Sequence, residues 1–316
     1  MKQVQNFVAI HNLWQPRERF IVAVSGGPDS LCLLDLLFLL SQKYDFSLHI
    51  AHVNYALRGA DSDLDEARVR EAAHIYNLPI TVFHPPKIST ANLEEKLRDI
   101  RYQFFEKLRL QEKYTLIAVA HHQDDQAETF LLRLLRGSGM AGLSAMRPKN
   151  NSIVRPLLST RREDILQYLK ERHLSYRTDA SNTNPQFLRN RLRNTLIPFI
   201  EKEYQPKIKK MLADTATLLA SDYAFLETLV PLSILSKNNT SQFSVATLLR
   251  LGEPVLRMKL RQILKSYYQK KSPPKGLIDE ILKLLKSPKS KKQTLTIRGL
   301  KIERKGDTVT LLDFQL

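Results

Sequence analysis

Short apolar runs alternate with longer amphipathic segments through the first 175 or so residues of the chain. The apolar runs predict β-strands at 20–25, 47–54, 79–84, 115–121 and 152–158. The segments between them carry apolar residues at helical spacing and predict helices near 29–43, 62–78, 92–113, 124–136 and 160–174. This alternation is typical of an α/β fold with a doubly wound, Rossmann-like parallel sheet covered on both faces. Ligands of such sheets bind beyond the carboxyl ends of the strands.

The second part of the chain has a different pattern. Helical spacing predicts helices near 206–230, 245–270 and 275–286, with a polar break at 236–242. Residues 293–314 alternate between apolar and polar and contain glycine turns at 298–299 and 305–307, which predicts a small antiparallel meander. We therefore expect a catalytic domain at 1–200 and a C-terminal region at 201–316. The latter would comprise a helical linker (about 201–235) and a small α+β domain (about 240–316).

Charge separates the same two parts. The chain carries a formal net charge of +17, and residues 187–316 hold 25 Lys and Arg against 11 Asp and Glu. Residues 1–186 hold 24 against 21. A solvated lysine-rich surface is the simple interpretation, but an excess of this size in one region favours a polyanionic partner, and nucleic acid is the polyanion we expect.

Several protein classes do not fit the sequence. The longest apolar run, residues 31–40, contains Asp35 and is about half as long as a bilayer span. The N-terminus lacks the apolar core of a signal peptide. Cys32 is the single cysteine, which excludes an internal disulfide and a cysteine metal cluster. We expect a soluble cytoplasmic protein with no membrane partner.

The first predicted strand ends abruptly in a glycine-rich loop, Ser25-Gly26-Gly27-Pro28-Asp29-Ser30, before a helix. Glycines let the backbone approach a ligand, and a helix N-terminus carries partial positive charge. The loop therefore predicts a phosphate cradle. Asp29 beside a phosphate predicts a bridging Mg²⁺. A capped strand–helix turn without a ligand is the alternative.

A second polar group follows the fourth predicted strand. His121 lies at the strand end, and Asp125 and Glu128, three apart, share one face of the following helix. One imidazole and two carboxylates thus meet where the sheet should bind ligands. Taken singly, each of these side chains is more often a helix cap or a hydrogen-bonded structural residue than part of a binding site. Metal binding by His121, His122, Asp124 and Asp125 is conceivable, but adjacent histidines on an extended strand point apart, so a closed zinc site is not expected.

The motifs, taken in order, resemble a known family. "SGGPDS" (25–30) resembles the S-G-G-x-D-S loop of the N-type, or PP-loop, ATP pyrophosphatases. Together with "AHHQDDQAET" (120–129) it closely resembles tRNA(Ile) lysidine synthases, as do "RDIRYQFF" (98–105), "RPLL" (155–158) and "DASNTNPQFLRNRLRN" (179–194). The resemblance covers about 18–200. The family usually has Asp-His where this chain has Asn54-Tyr55, so the roles of those two side chains stay open. Longer members have a further C-terminal domain, and this chain resembles the short form.

The resemblance implies a two-step ATP-dependent reaction. The enzymes of this family activate the 2-carbonyl of the wobble cytidine in the CAU anticodon of isoleucine tRNA with ATP and release pyrophosphate. The amine of free L-lysine then displaces AMP. By this resemblance residues 25–30 would bind ATP, with Asp29 holding Mg²⁺. Asp125 and Glu128 would bind lysine, His121 would take a proton from the amine, and Arg101 would stabilise phosphate charge.

We expect the tRNA contacts to be basic side chains that bind phosphates. The candidates are Arg189, Arg191, Arg193, Lys283, Lys286, Lys289, Lys291 and Lys292. Tyr267 and Tyr268 are interpreted as core rather than as base-stacking residues.

The alternatives include other PP-loop enzymes. Sulfur-transferring tRNA enzymes need more cysteines than Cys32. A small-molecule amide-forming enzyme would leave the basic second half without a purpose. A binding module without catalysis would not need the acidic, histidine and phosphate-loop residues.

Overall fold

The computed structural model describes residues 2–86, 93–176, 188–228, 235–237, 240–267, 273–288, 291–297 and 300–313. They form two compact units, Met1–Ser221 and Asp222–Leu316. The predicted turn at 298–299, Lys289 and Tyr268 lie outside the described residues. Within the described ranges, no helix has both the length and the apolar character to cross a bilayer.

The first unit alternates strands and helices, as the sequence pattern predicts. Its strands are β1 (Arg19–Ala23), β2 (Ser47–Val53), β3 (Ile80–Phe83), β4 (Leu116–Ala118), β5 (Lys149–Asn150) and β6 (Ile153–Val154). Its helices are α1 (Lys2–Ile10), α2 (Pro28–Tyr44), α3 (Ala60–Ile75), α4 (Leu93–Gln111), α5 (Gln123–Leu135), α6 (Met140–Leu143), α7 (Arg162–Glu171), α8 (Leu188–Arg191) and α9 (Ile197–Glu203). A π-helical turn, Leu192–Leu196, joins α8 to α9, and α10 (Ile208–Thr228) runs across the boundary between the units.

The order of the strands brings distant motifs together. The sheet has the order β3-β2-β1-β4-β6-β5, and all neighbouring pairs are parallel except β5 and β6. In chain order, β2 and β3 therefore lie on one side of β1, and β4 lies on the other side. Ligands of such sheets bind where the strand order reverses. That point lies between the carboxyl ends of β1 and β4, and the two candidate motifs follow those two strands.

Both faces of the sheet are buried, which explains the nearly continuous apolar character of β1. Phe20 and Val22 pack with α2 and α7 residues in one cluster, whereas Ile21 packs with Phe105 of α4 on the opposite face. All of these side chains are at most 2% exposed. The doubly wound α/β fold is confirmed.

The second unit is an antiparallel sheet packed against helices. Its strands are β7 (Leu235–Lys237), β8 (Thr240–Ser244), β9 (Gln293–Ile297), β10 (Leu300–Lys305) and β11 (Thr308–Asp313), in the order β7-β8-β11-β10-β9. Its helices are α11 (Val245–Leu249), α12 (Glu253–Tyr267) and α13 (Lys275–Lys286). The predicted meander corresponds to β9, β10 and β11, and the predicted helix at 275–286 matches α13.

Several local predictions are wrong. The single helix predicted at 245–270 is interrupted, because Gly252 adopts φ +73° and Pro254 suits only the first turn of a new helix. The polar break at 236–242 lies within β7 and β8, because β8 pairs with the distant strand β11 and β7 then pairs with β8. Helix α1 was not predicted, although Val4 and Val8 pack into the main core. The strand predicted at 115–121 ends at Ala118, where its partner β6 also ends.

Candidate functional site

The loop after β1 is held in shape by its own hydroxyl groups. The Ser30 hydroxyl donates to the Gly27 carbonyl oxygen (2.9 Å) and accepts from the Ser25 backbone N–H (3.1 Å). Gly26 has φ +89°, and a Cβ there would lie 3.2 Å from the carbonyl oxygen of Asp65. Glycine is therefore required by both conformation and space. The result is a preformed bend.

Helix α2 begins at the end of this bend. Pro28 occupies its first turn, where the missing N–H removes no helical hydrogen bond. Asp29 follows in the same turn, and the helix N-terminus contributes partial positive charge. Loop and helix start together form a concentrated set of donors that suits the oxygens of a phosphate group.

The start of α5 faces Asp29. His122, which precedes α5, has a side chain only 2% exposed, and its Nε2 lies 3.6 Å from Oδ2 of Asp29 and 3.5 Å from Oδ2 of Asp125. The His122 backbone N–H donates to the same Asp125 oxygen at 3.1 Å. Burial lowers the pKa of His122, but the carboxylates of Asp125 and Asp29 outweigh it, so the pKa lies above the usual value. A buried imidazole thus joins the phosphate loop to the acidic helix.

Three buried polar atoms around this edge have no hydrogen-bond partner within the described parts of the chain. They are Oδ1 of Asp29, Nδ1 of His121 and Nδ1 of His122. A buried atom left in this state costs about 1–3 kcal/mol. Their concentration beside the phosphate cradle indicates a place where a ligand completes the hydrogen bonding.

The unpartnered Oδ1 of Asp29 is a candidate ligand for the Mg²⁺ that the sequence predicts. In the described residues no group of three or more His, Cys, Asp or Glu side chains is arranged to hold a metal ion. Mg²⁺ in nucleotide sites takes one or two carboxylates and completes its shell with phosphates and water. The unpartnered oxygen of Asp29 fits an ion that arrives with a nucleotide.

Two arginine side chains are hydrogen-bonded to Asp125 and Glu128, the carboxylates that were predicted to bind lysine. Arg189 donates to Asp125 (2.9 Å) and Glu128 (2.8 Å), and Arg193 donates to both as well (3.3 and 3.0 Å). The Glu128 side chain is 1% exposed. Burial alone would raise the pKa of Asp125. The positive charges of His122 and Arg189 outweigh that effect and hold the pKa well below its usual value. Arg189 and Arg193, which the sequence suggested as tRNA contacts, reach these carboxylates from α8 and the π-helical turn.

The remaining predicted catalytic residues are His121 and Arg101. Burial, with the nearby Arg155 and Arg98, lowers the pKa of the His121 imidazole well below the usual value despite the opposing charge of Asp125. Arg101 is half-buried on α4, with its guanidinium carbon 5.9 Å from the centroid of the Tyr102 ring.

The predicted tRNA contacts fall into three groups. Arg189 and Arg193 are bound to the carboxylates, whereas Arg191 is exposed. In the second unit Lys283, Lys286, Lys291 and Lys292 are exposed, and Lys289 lies outside the described residues. Lys286 is paired with Glu253 (2.6 Å) and Lys292 with Glu303 (2.9 Å).

The two motifs singled out in the sequence are adjacent in the structure, but sequence reasoning missed two features of their arrangement. His122, not His121, contacts Asp29, because the backbone at 121–122 has left the sheet and turned into α5. Only a register for β4 could have indicated which histidine faces the loop. The carboxylate-binding arginines carried a signal, since Arg189 and Arg193 are four residues apart and so share a helix face.

Comparisons with known proteins point in one direction. The sequence model of the PP-loop domain matches residues 1–200. Curated proteins named tRNA(Ile)-lysidine synthase are similar over most of the chain. The one from Geobacter sulfurreducens is 44% identical across 73% of this chain and 50% of its own length. The one from Bacillus subtilis is 36% identical across 85% of this chain and 60% of its own length.

The relative from Caldanaerobacter subterraneus is 31% identical, across 92% of this chain and 65% of its own length. The chain thus spans about half to two thirds of the length of the curated relatives that it matches. Among solved structures, a U34-tRNA thiolase from Methanococcus maripaludis, with its [4Fe-4S] cluster, is similar with a TM-score of 0.57 at 19% identity. The match covers 74% of this chain and 81% of the thiolase. At that identity the similarity supports the fold alone.

Proposed function

Because the chain belongs to the PP-loop domain family, we propose that it is an ATP-dependent tRNA(Ile) lysidine synthase acting in the cytoplasm. The reaction attaches free L-lysine to the 2-position of the wobble cytidine in the CAU anticodon of isoleucine tRNA. The products are lysidine, AMP and pyrophosphate. The curated relatives support this assignment by their names and by 31–44% identity.

One observation carries the proposal. The His122 imidazole lies within 3.6 Å of Asp29 and 3.5 Å of Asp125, so the phosphate loop and the acidic helix share one site. Cleavage of ATP and attack by an amine need phosphate-binding groups and carboxylates at the same place. The strand-order reversal between β1 and β4 provides that place.

In the first step the cytidine 2-oxygen attacks the α-phosphorus of ATP, and the bond to the β-phosphate oxygen breaks. Residues 25–30 bind the phosphates through backbone N–H and hydroxyl groups. Asp29 would hold Mg²⁺, which when bound neutralises negative charge on pyrophosphate. Arg101 adds positive charge at the phosphates.

In the second step the lysine amine attacks ring carbon 2, the bond from that carbon to the phosphate-bearing oxygen breaks, and AMP leaves. The attacking amine must lose a proton. His121 has a buried Nδ1 without a partner among the described residues and a lowered pKa, so it is neutral and able to accept one. Asp125 and Glu128 attract the ammonium groups, which must share or displace Arg189 and Arg193.

The cysteine content supports this chemistry over sulfur transfer. Cys32 is the single cysteine of the sequence, and it is 2% exposed on α2. Burial, with help from Asp29 and Asp35, raises its pKa to about 12. A thiol in that state is a poor nucleophile, because the thiolate is the reactive form.

The test is nucleoside mass analysis of isoleucine tRNA after incubation with ATP and isotopically labelled lysine. We expect labelled lysidine, with AMP and pyrophosphate formed only when lysine and tRNA are both present. A tRNA with uridine at the wobble position is the matched control and should stay unmodified. Formation of ADP, or modification without lysine, would overturn the proposal.

A further inference from the structure

An unneutralised arginine cluster lies beside the site on the side away from the phosphate loop. Arg155 directly follows β6, and β6 pairs with β4, whose chain continues to His121. Arg155 is 5% exposed, and its Nη1 donates to the Arg147 carbonyl oxygen at 2.8 Å. A buried guanidinium at this edge of the sheet is as well placed to meet a substrate as the groups after β1 and β4.

The partners of Arg155 do not balance its charge. Its Nε is buried and has no hydrogen-bond partner within the described ranges. Tyr102 is near enough to influence the pKa of Arg155, and the Arg98 guanidinium carbon lies 4.8 Å from the Tyr102 ring centroid. Two positive charges thus flank one tyrosine. No ion pair joins Arg155 or Arg98 to a carboxylate of the residues that the structure describes.

This arrangement is electrostatically costly without an anion. Burial, and to a lesser extent the repulsion from Arg98, lowers the pKa of Arg155. The unused Nε side of the guanidinium is the edge that forms paired hydrogen bonds with a carboxylate or a phosphate. An anion with two oxygens would satisfy the buried donor and offset both charges.

The phosphates of ATP do not match this position, since the proposed function assigns them to the loop after β1. Strands of a sheet lie about 4.8 Å apart, so β6, two strands away, is about 10 Å from β1. Arg155 is only 5% exposed, so the bulky backbone of a polynucleotide is a poorer match than a small carboxylate that enters the site with the amino acid.

We propose that Arg155, assisted by Arg98, binds the α-carboxylate of the amino-acid substrate. This inference rests on the proposed function, in which free lysine brings two ammonium groups and one carboxylate. Asp125 and Glu128 attract the ammonium groups, and Arg155 and Arg98 bind the carboxylate. The charges of Asp125, Arg155 and Arg98 all influence the pKa of His121, so both sets of groups lie near this imidazole. The site would thus recognise the amino acid at both ends.

The experiment compares lysine with cadaverine, which is lysine without its carboxylate. In Arg155→Lys the charge stays but the paired hydrogen-bonding edge is lost. Hydrogen bonds to a charged group contribute about 1.5–3 kcal/mol, so we expect the KM for lysine to rise about 10- to 150-fold. Activity with cadaverine should stay unchanged, and the preference for lysine should collapse.

Arg98→Gln is the second variant, because Arg98 is half-buried and its replacement threatens folding less. We expect the same loss of preference, smaller in size. Arg161→Gln is the matched control, since Arg161 pairs with Asp164 on the surface. It should leave the lysine and cadaverine kinetics unchanged.

The outcomes separate the alternatives. Equal losses with lysine and cadaverine would make Arg155 a structural residue and overturn the proposal. A weaker tRNA affinity with a reduced salt dependence would assign the cluster to RNA phosphates, and a raised KM for ATP would assign it to the triphosphate. If the wild-type protein shows no lysine-dependent AMP formation, the proposed function itself fails. Normal turnover with unchanged selectivity in both variants overturns only the carboxylate site.

Discussion

Two acidic residues, one in each unit, are held in opposite ways. In the first unit Asp35 is completely buried and accepts hydrogen bonds from Tyr76 (2.8 Å), Tyr168 (2.5 Å) and Arg172 (3.1 Å). In the second unit Glu253 pairs with Arg257 and Lys286 at the surface. The first arrangement fixes one geometry from three sides, whereas the second holds flexible side chains in water.

This difference predicts how strongly substitutions of charged residues act at such positions. Buried, multiply bonded charges keep a defined position, and removing one leaves partners uncompensated. Exposed pairs contribute little and are screened by salt. We therefore expect substitutions of buried charged residues in the first unit to cause large losses of activity or stability. Substitutions in the second unit should act in small, additive and salt-dependent steps.

The largest effect should follow from Asp29→Asn. This change keeps the shape but removes the charge that would hold Mg²⁺ and that contacts His122. We expect turnover to fall about 10³-fold, as for loss of a transition-state contact, with tRNA affinity unchanged. AMP formation and filter binding measure the two quantities.

Asp45→Asn is the control for Asp29→Asn. Asp45 follows the same helix, and its side chain is 88% exposed. It should be fully active. Near-normal turnover of Asp29→Asn would remove Asp29 from the chemistry and weaken the contrast between the units.

A second effect concerns stability. Asp35→Ala should lower the free energy of unfolding by about 3 kcal/mol, because it removes a buried charge with three partners. Glu253→Gln, with exposed partners, should leave the melting temperature within experimental scatter. Denaturant and thermal unfolding followed by circular dichroism test both. Equal stability losses in the two variants would contradict the comparison.

A third effect tests a position where the chain departs from the family pattern. The Asn54 amide donates to Asp63 (3.2 Å) and Glu66 (2.9 Å), so Asn54→Asp would place a third carboxylate against two others. We expect a loss of about 1–2 kcal/mol at neutral pH. Asn151→Asp, an exposed turn residue, is the control and should be neutral. An Asn54→Asp protein as stable as the wild type would show that this network is dispensable.

The same network predicts a pH dependence. Burial raises the pKa of Glu66, but hydrogen bonds from Asn54, Arg70 and His84 lower it to about 2. Because the folded-state pKa lies below the unfolded one, this stabilisation is present above about pH 4.5 and is lost as the pH falls towards about 2. Urea unfolding across this range should show a smaller acid loss in Asn54→Asp, whose Glu66 pKa is less depressed.

The smallest effects are expected in the second unit. Replacing Lys283 or Lys291 with Gln should weaken tRNA binding slightly and reduce the slope of affinity against salt by about 1 each. Lys286 and Lys292, already paired with Glu253 and Glu303, should matter less. Lys43→Gln, exposed in the first unit, is the control. Salt slopes that do not change for any of these variants would place the tRNA contacts elsewhere.

Local sequence predicted most of the first unit because its elements are set by short-range physics. The strand-to-helix change at Ser25–Ser30 and the carboxylates at Asp125 and Glu128 are visible from spacing alone. The second unit was less predictable. Its strands β7 and β8 are polar; β8 pairs with β11 and β7 pairs with β8, and no pattern within 236–242 shows these partners.

By itself the sequence determined the fold class, the phosphate cradle and the acidic helix, because periodicity and glycine placement act within a few residues. The tertiary structure decided which histidine meets Asp29, that Arg189 and Arg193 cover the carboxylates, and that Arg155 stands buried beside Arg98. Those contacts join residues 57 to 93 positions apart. They depend on strand order and on the exit angle of each strand, which no local pattern encodes.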